Sequence, residues 1–263
     1  MTSAQRADIG VIGGSGFYSF FDAPERISVD TPFGAPSDDI VIGDVDGRRV
    51  AFLARHGQGH RHPPHLVNYR ANLWALRSVG VRQVLAPCAV GSLRAEHTPG
   101  TLLVPDQVGP VVHVSFADPY CPQGRSALLD GAGEHFDRLV DGGTLVVIGG
   151  PRFSSRAESR WHQAAGWSVV GMTGMPEASI ARELAMCFST ACLITDNDAG
   201  VEGGGESVTH EEVMRVFGDN IERLKVALRQ AISRLPEPES DDAATCPCRR
   251  VLDGQELPIA LPS

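Results

Sequence analysis

The chain has 263 residues, 42% hydrophobic and 21% charged, the balance of a globular protein with one substantial core or two small ones. A net charge of −9 argues against nucleic acid as a partner, although it leaves room for a local basic patch. No apolar run approaches the roughly 20 residues that cross a bilayer, and "MTSAQRAD" lacks the apolar core of a signal peptide, so neither membrane nor export is expected and the cytoplasm is.

In chain order, β-branched runs alternate with helical patterns. "DIGVIGG" (8–14) reads as a buried strand entering glycines. "DIVIGDVDGRRVAFLARHG" (39–57) reads as two strands joined by a hairpin turn at Gly47, which makes at least one pair antiparallel. Helical spacing follows over Asn68–Val79, then strands in "RQVLAPCAV" and "TLLVPDQV". Next come a helix over Gln123–Leu139, strand "GTLVVIGG", a helix over Ser155–Ala165 and strand "WSVVGMT". A helix over Glu177–Cys187, with Pro176 in its first turn, leads to strand "CFSTACLITD". A long amphipathic helix covers about Thr209 to Leu235, with Val213, Val216, Phe217, Ile221, Leu224, Leu228 and Ile232 on one face. Thr209 and Glu212 have capping-box spacing. This order predicts a single α/β domain over residues 1–235, a mixed central β-sheet flanked by helices, and a polar, proline-rich C-terminal tail over 236–263. Cys88, Cys121, Cys187, Cys192, Cys246 and Cys248 are expected to be thiols, the last two in the tail.

The first glycine run resembles a nucleotide loop but fails both common tests. A dinucleotide fingerprint needs a third glycine where Ser19 stands, and "GFYSFFDAPERI" is a poor helix start. A Walker loop needs a lysine that is absent here. What remains is a sharp turn of backbone N–H groups around Ser15, suited to a small anion or to no ligand.

"ARHGQGHRHPPHLVNYRANLWAL" allows three readings. His60-x-His62 could begin a metal site, but it lies between glycine and prolines with no acidic residue at ligand spacing. Arg55 offers a planar fork for phosphate with His56 as a neighbouring donor. His60 and His62 also suit a solvated loop. In "ITDNDAG", Asp196 and Asp198 alternate at the end of an apolar strand, where α/β enzymes collect catalytic groups and where Asx-turns also occur. A carboxyl of raised pKa in a dry pocket there would be a good proton donor.

"VIGGSGFY", "DTPFGAPSD", "ARHGQGHRHPPHLVNYRANLWAL", "CAVGSL", "FADPYCP", "GPRFSSRAES", "MTGMPEASIARE" and "TDNDAG" stand in this order. Together they resemble the methylthioadenosine phosphorylase branch of the trimeric purine nucleoside phosphorylase family, over about residues 8–235. The resemblance implies a purine nucleoside phosphorylase-like fold, a homotrimer, no metal or organic cofactor, and phosphorolysis in which inorganic phosphate, as co-substrate, displaces a purine from C1′. It implies 5′-methylthioadenosine as substrate, with a broader specificity for adenosine or inosine and guanosine as the alternative.

Carried onto matching positions, it implies phosphate contacts from Ser15, Arg55, His56, Cys88, Ala89 and Thr173. Where relatives have threonine or asparagine this chain has Cys88, which keeps the backbone donor of Ala89 and loses a hydroxyl. Met172 would lie under the ribose, with Phe153 and Ser154 near the purine. Asp196 would contact N7 and Asp198 would support the amino group, with Asn197 between them in the substrate site. His210, Val213 and Met214 would line the 5′ pocket, and His113 would reach a neighbouring subunit's site. The family's longer loop before "HVSFADPYC" is shortened to "VPDQVGPVVHVSF", which bears on His113 and on trimer geometry. The "CPC" of Cys246–Cys248 resembles a C-terminal Cys-x-Cys of some relatives.

Overall fold

β1 (Ile9–Gly13) is buried along its whole length, as a parallel strand covered on both faces must be. The computed structural model describes residues 6–14, 17, 20–21, 25–108, 115–201 and 208–253, the side chains of 107 and 108 excepted. β1 pairs in parallel with β4 (Arg48–Ala54) on one edge and β5 (Gln83–Ser92) on the other. β3 (Ile40–Val45) and β2 (Glu25–Ile27) continue antiparallel beyond β4. The β3–β4 hairpin turns through Asp46 and Gly47, both at positive φ, the conformation that twists a two-residue turn to match its strands.

β5 is where the sheet branches. β11 (Cys187–Asn197) runs parallel to it along its length, and β10 (Val169–Gly171) pairs antiparallel with its end. β9 (Thr144–Val147) and β7 (Gln107–Val108) extend from β10; β6 (Leu102–Val104) and β8 (Leu139–Asp141) extend from β11. The result is the expected mixed central sheet, eleven strands among the described residues.

Val11 and Ile12 are successive residues of β1, so they face opposite sides and enter different cores. The Val11 side is covered by α2 (Pro122–Ala132) and α5 (His210–Arg234), which pack along each other. The Ile12 side is covered by α1 (Tyr69–Ser78) and α4 (Gly174–Glu183). α3 (Arg156–Ala164) and α6 (Asp241–Thr245) complete the α-helices of the described residues. The apolar face anticipated for α5 buries Val216, Phe217, Leu224, Leu228 and Ile232, and leaves Val213 and Ile221 half-buried.

Three expectations need correction. α2 ends at Ala132, because the chain turns after Gly133 and residues up to Leu139 feed β8. α4 ends at Glu183 rather than 187, while Met175, extended, leaves its continuous part starting at Pro176 as expected; Ala185 adopts φ 51°, which ends the helix and frees Cys187 to open β11. The segment read as a polar tail folds back as far as the described residues go: Ala243, Cys246 and Cys248 are buried, and Gln123 donates from Nε2 to the Asp242 carbonyl at 2.7 Å. Among the described residues no helix is long and apolar enough to cross a membrane.

Candidate active site

Residues near the C-terminal ends of the parallel strands β1, β4, β5 and β11, with residues of β10 and after β9, which run antiparallel across the end of β5, enclose a cavity of about 320 Å³. This is the end of an α/β sheet at which loops gather around ligands. Gly14, Arg55, His56, Cys88, Ala89, Phe153, Ser154, Met172, Thr173, Asp196, Asp198, His210, Val213 and Met214 all line it, from segments up to about 200 positions apart. Ser15 and His113 lie outside the described residues. Asn197 does not line the cavity: in extended chain it points away from its neighbours Asp196 and Asp198.

Arg55 is almost fully buried, and its fork is taken by a carboxylate of its own chain. Nε donates to Glu177 Oε1 at 2.5 Å and Nη2 to Oε2 at 3.0 Å. The remaining nitrogen, Nη1, is 3.4 Å from the Pro87 carbonyl and so close to Gly14 that a Cβ there would stand 2.7 Å from it. The planar fork expected to face an anion is therefore one N–H edge beside the glycine turn. Glu177 belongs to the quoted motif "MTGMPEAS", yet nothing in its local spacing marks it as the partner of a residue 122 positions away.

His56 donates from Nδ1 to the His62 carbonyl at 2.8 Å and stacks on His60 at 4.3 Å between ring centroids. Burial, and then the Arg55 charge, lower its pKa to about 4, so the ring is neutral. With Nδ1 committed, Nε2 is an acceptor, able to take a hydrogen bond from a protonated phosphate oxygen. Thr173 makes no capping hydrogen bond with its hydroxyl, which leaves that group to the cavity; Met175 is extended, so the continuous part of α4 begins only at Pro176. Cys88 turns its sulfur into the sheet, 3.6 Å from both Thr190 Oγ1 and Cys192 Sγ.

The carboxylates owe their placement to a bulge. Val90 of β5 pairs with Ile194 and Gly91 with Asp196, so Thr195 is the extra residue. Asp196 Oδ1 accepts from the Thr195 hydroxyl at 2.8 Å. Burial raises the Asp196 pKa to about 6; that hydrogen bond opposes the shift, and the charges of Asp198 and Glu212 add to it. Gly91 lies beneath the pair, where a Cβ would stand 2.9 Å from Asp196 Oδ2 and 3.4 Å from Asp198 Cβ. Asp198 Oδ2 and Ser154 Oγ are buried with no hydrogen-bond partner among the described residues, two polar atoms that a ligand would satisfy.

Val90, Ile148, Val170, Met172 and Val213 give the cavity an apolar wall. Phe153 is 37% exposed at its rim rather than packed in the core. Its loop is held by Arg152, which donates to both oxygens of Glu158 while Ser155 and Glu158 form the capping box of α3. α5 presents His210, Val213 and Met214 from its first turn, capped by Thr209, whose hydroxyl accepts from Glu212 N at 3.2 Å. His60, Pro63, Pro64, Gly91 and Thr195 also line the cavity. All five lie within the motifs that carry the resemblance, but only His60 stands out there by residue type; the prolines and Gly91 act through shape, which spacing does not reveal.

The model of the phosphorylase superfamily matches residues 8–233. The chain is 57% identical to a purine nucleoside phosphorylase of Streptomyces coelicolor, all of each chain being covered. That alignment runs to 284 positions, so the relative carries residues this chain lacks. Identity is 49% to an S-methyl-5′-thioadenosine phosphorylase of Mycobacterium tuberculosis, with 97% of each covered. The crystal structure of a methylthioadenosine phosphorylase from an antarctic soil metagenomic library superposes with a TM-score of 0.84 at 36% identity, covering 95% of this chain and 92% of that one.

Proposed function

This chain belongs to the phosphorylase superfamily, and from that membership we propose that it cleaves 5′-methylthioadenosine with phosphate to adenine and 5-methylthioribose 1-phosphate. The observation that carries the reading is the Asp196–Asp198 pair at the end of β11, with Asp196 buried and its pKa raised to about 6. A phosphate oxygen attacks C1′ from the α face as the bond to N9 breaks, through an oxocarbenium-like sugar and with inversion. The electron pair of that bond passes into the purine, and N7 takes a hydrogen bond and then a proton from Asp196. The proton that adenine gains balances the one phosphate gives up on forming the ester. Asp198 and Ser154 are assigned to the base. Thr173, Ala89, Arg55 Nη1, His56 and Ser15 are assigned to phosphate. Phosphate is the co-substrate, and the chemistry is assigned no metal or organic cofactor.

Val213 and Met214 suit a thioether at the 5′ end. The Streptomyces relative's name supports a second reading, a broader purine nucleoside phosphorylase, and His210 beside the same pocket suits a 5′-hydroxyl. We assign a homotrimer on the family resemblance. Incubating the protein with methylthioadenosine, adenosine and inosine, with and without phosphate, and measuring free base tests all of this. Methylthioadenosine is expected to be the best substrate and its cleavage to require phosphate. Cleavage indifferent to phosphate would refute the phosphorylase assignment, and inosine as best substrate would refute the adenine preference.

A further inference from the structure

Four cysteines from three distant parts of the chain converge outside the cavity. Cys121 precedes α2, Cys187 opens β11, and Cys246 and Cys248 follow α6. All four are buried, and their sulfurs lie within 4.8 Å of one another. Cys187 Sγ is 3.4 Å from Cys246 Sγ, and Cys121 Sγ is 3.7 Å from it. A disulfide would need about 2.05 Å. Four thiolates around one zinc, each bonded at about 2.3 Å, form a tetrahedron whose edges are about 3.8 Å. The 3.4 and 3.7 Å separations are close to that, and none of the six exceeds 4.8 Å.

The surroundings carry the charge such a site requires. Zinc with four thiolates is a dianion, and a buried dianion needs cations nearby. Arg82 and Arg249 line one surface pocket, shared with Asp8, Glu239 and Asp253. The Arg82 carbonyl accepts from Cys187 N at 2.8 Å, and Arg249 N donates to the Cys246 carbonyl at 3.0 Å. The Nε atoms of both are buried without a hydrogen-bond partner among the described residues. An anionic cluster at the cysteines would give these two buried N–H groups a negative charge to face.

We propose that Cys121, Cys187, Cys246 and Cys248 bind a structural zinc ion that fastens the C-terminal segment to the start of α2 and of β11. The site is closed, with four protein ligands and no open position, so it serves the fold rather than the reaction. It replaces the expectation of two tail thiols. The sequence hides it because only the Cys-Pro-Cys pair is local, whereas the other ligands lie 59 and 125 residues from Cys246.

The test is elemental analysis of the full-length protein, prepared with reductant and without chelator. About one zinc per chain is expected, falling to under about a tenth in the Cys246→Ser/Cys248→Ser double variant. Should that variant not fold, cobalt exchanged into the unaltered protein is expected to give the visible bands and thiolate charge transfer of a tetrahedral site. After denaturation in chelator, all six cysteines are expected to alkylate. A zinc-poor chain whose six cysteines alkylate, iron in place of zinc, or alkylation confined to Cys88 and Cys192 would each overturn the proposal.

Discussion

At the scale of single residues, Asp196 trades stability for chemistry. Its folded pKa of about 6 lies above the ordinary 3.8, so the folded chain binds this proton more tightly than the unfolded one. The stability that follows is full below about pH 4 and lost as pH rises through 6. At pH 7.5 the buried charge costs about 2–3 kcal/mol. Asp196→Asn is therefore expected to raise the urea midpoint at pH 7.5 while lowering turnover by tenfold or more, a loss of at least about 1.4 kcal/mol in the transition state. A loss smaller than tenfold would remove Asp196 from the leaving-group role. Gly91→Ala tests the same carboxylate from below: a Cβ 2.9 Å from Oδ2 must displace it, so turnover is expected to drop at least tenfold with a normal far-ultraviolet spectrum. Asp196 and Asp198 were legible because alternation at a strand end is a local pattern. Gly91 was not, since its role is a distance to another strand.

At the scale of elements, two contacts hold the cavity's walls. Glu177 of α4 is bonded to Arg55 after β4, with both groups nearly fully buried. Glu177→Ala leaves an uncompensated buried guanidinium and is expected to cost about 3–5 kcal/mol, read from denaturant unfolding. Thr209 caps the turn that carries His210, Val213 and Met214. Thr209→Ala is expected to cost about 1 kcal/mol and to raise the KM for nucleoside more than it lowers kcat, as that turn frays. Periodicity revealed most of these elements, and α1, α3 and α5 lie within one or two residues of the spacing that predicts them. β2 and β8, three residues each, carry too little pattern to be read and exist because a neighbouring strand offers an edge. The end of α4 depends on one residue at positive φ, a choice made by packing.

At the scale of the whole molecule, the alternation of strands and helices was enough to specify a mixed sheet between helices, but not the branching at β5. Light scattering is expected to give the mass of three chains; a monomer that retains full activity would refute the trimer assignment. Removing the proposed zinc with a chelator under reducing conditions is expected to lower the thermal midpoint by about 5 °C or more, because a ligand bound only by the folded state is lost.

The pairing of β5 with β11 also shapes how the chain is made. Thr190 and Ala86, bonded across that seam, are 104 residues apart. At roughly 5–20 residues per second of synthesis, a ribosome exposes one edge of β5 for several seconds before its partner emerges. During that interval a ten-residue, largely apolar strand stands open to pairing with any neighbouring nascent chain. Products truncated before residue 187 should therefore accumulate in aggregates, and yield should depend on chaperone supply more than on the stability of the finished fold.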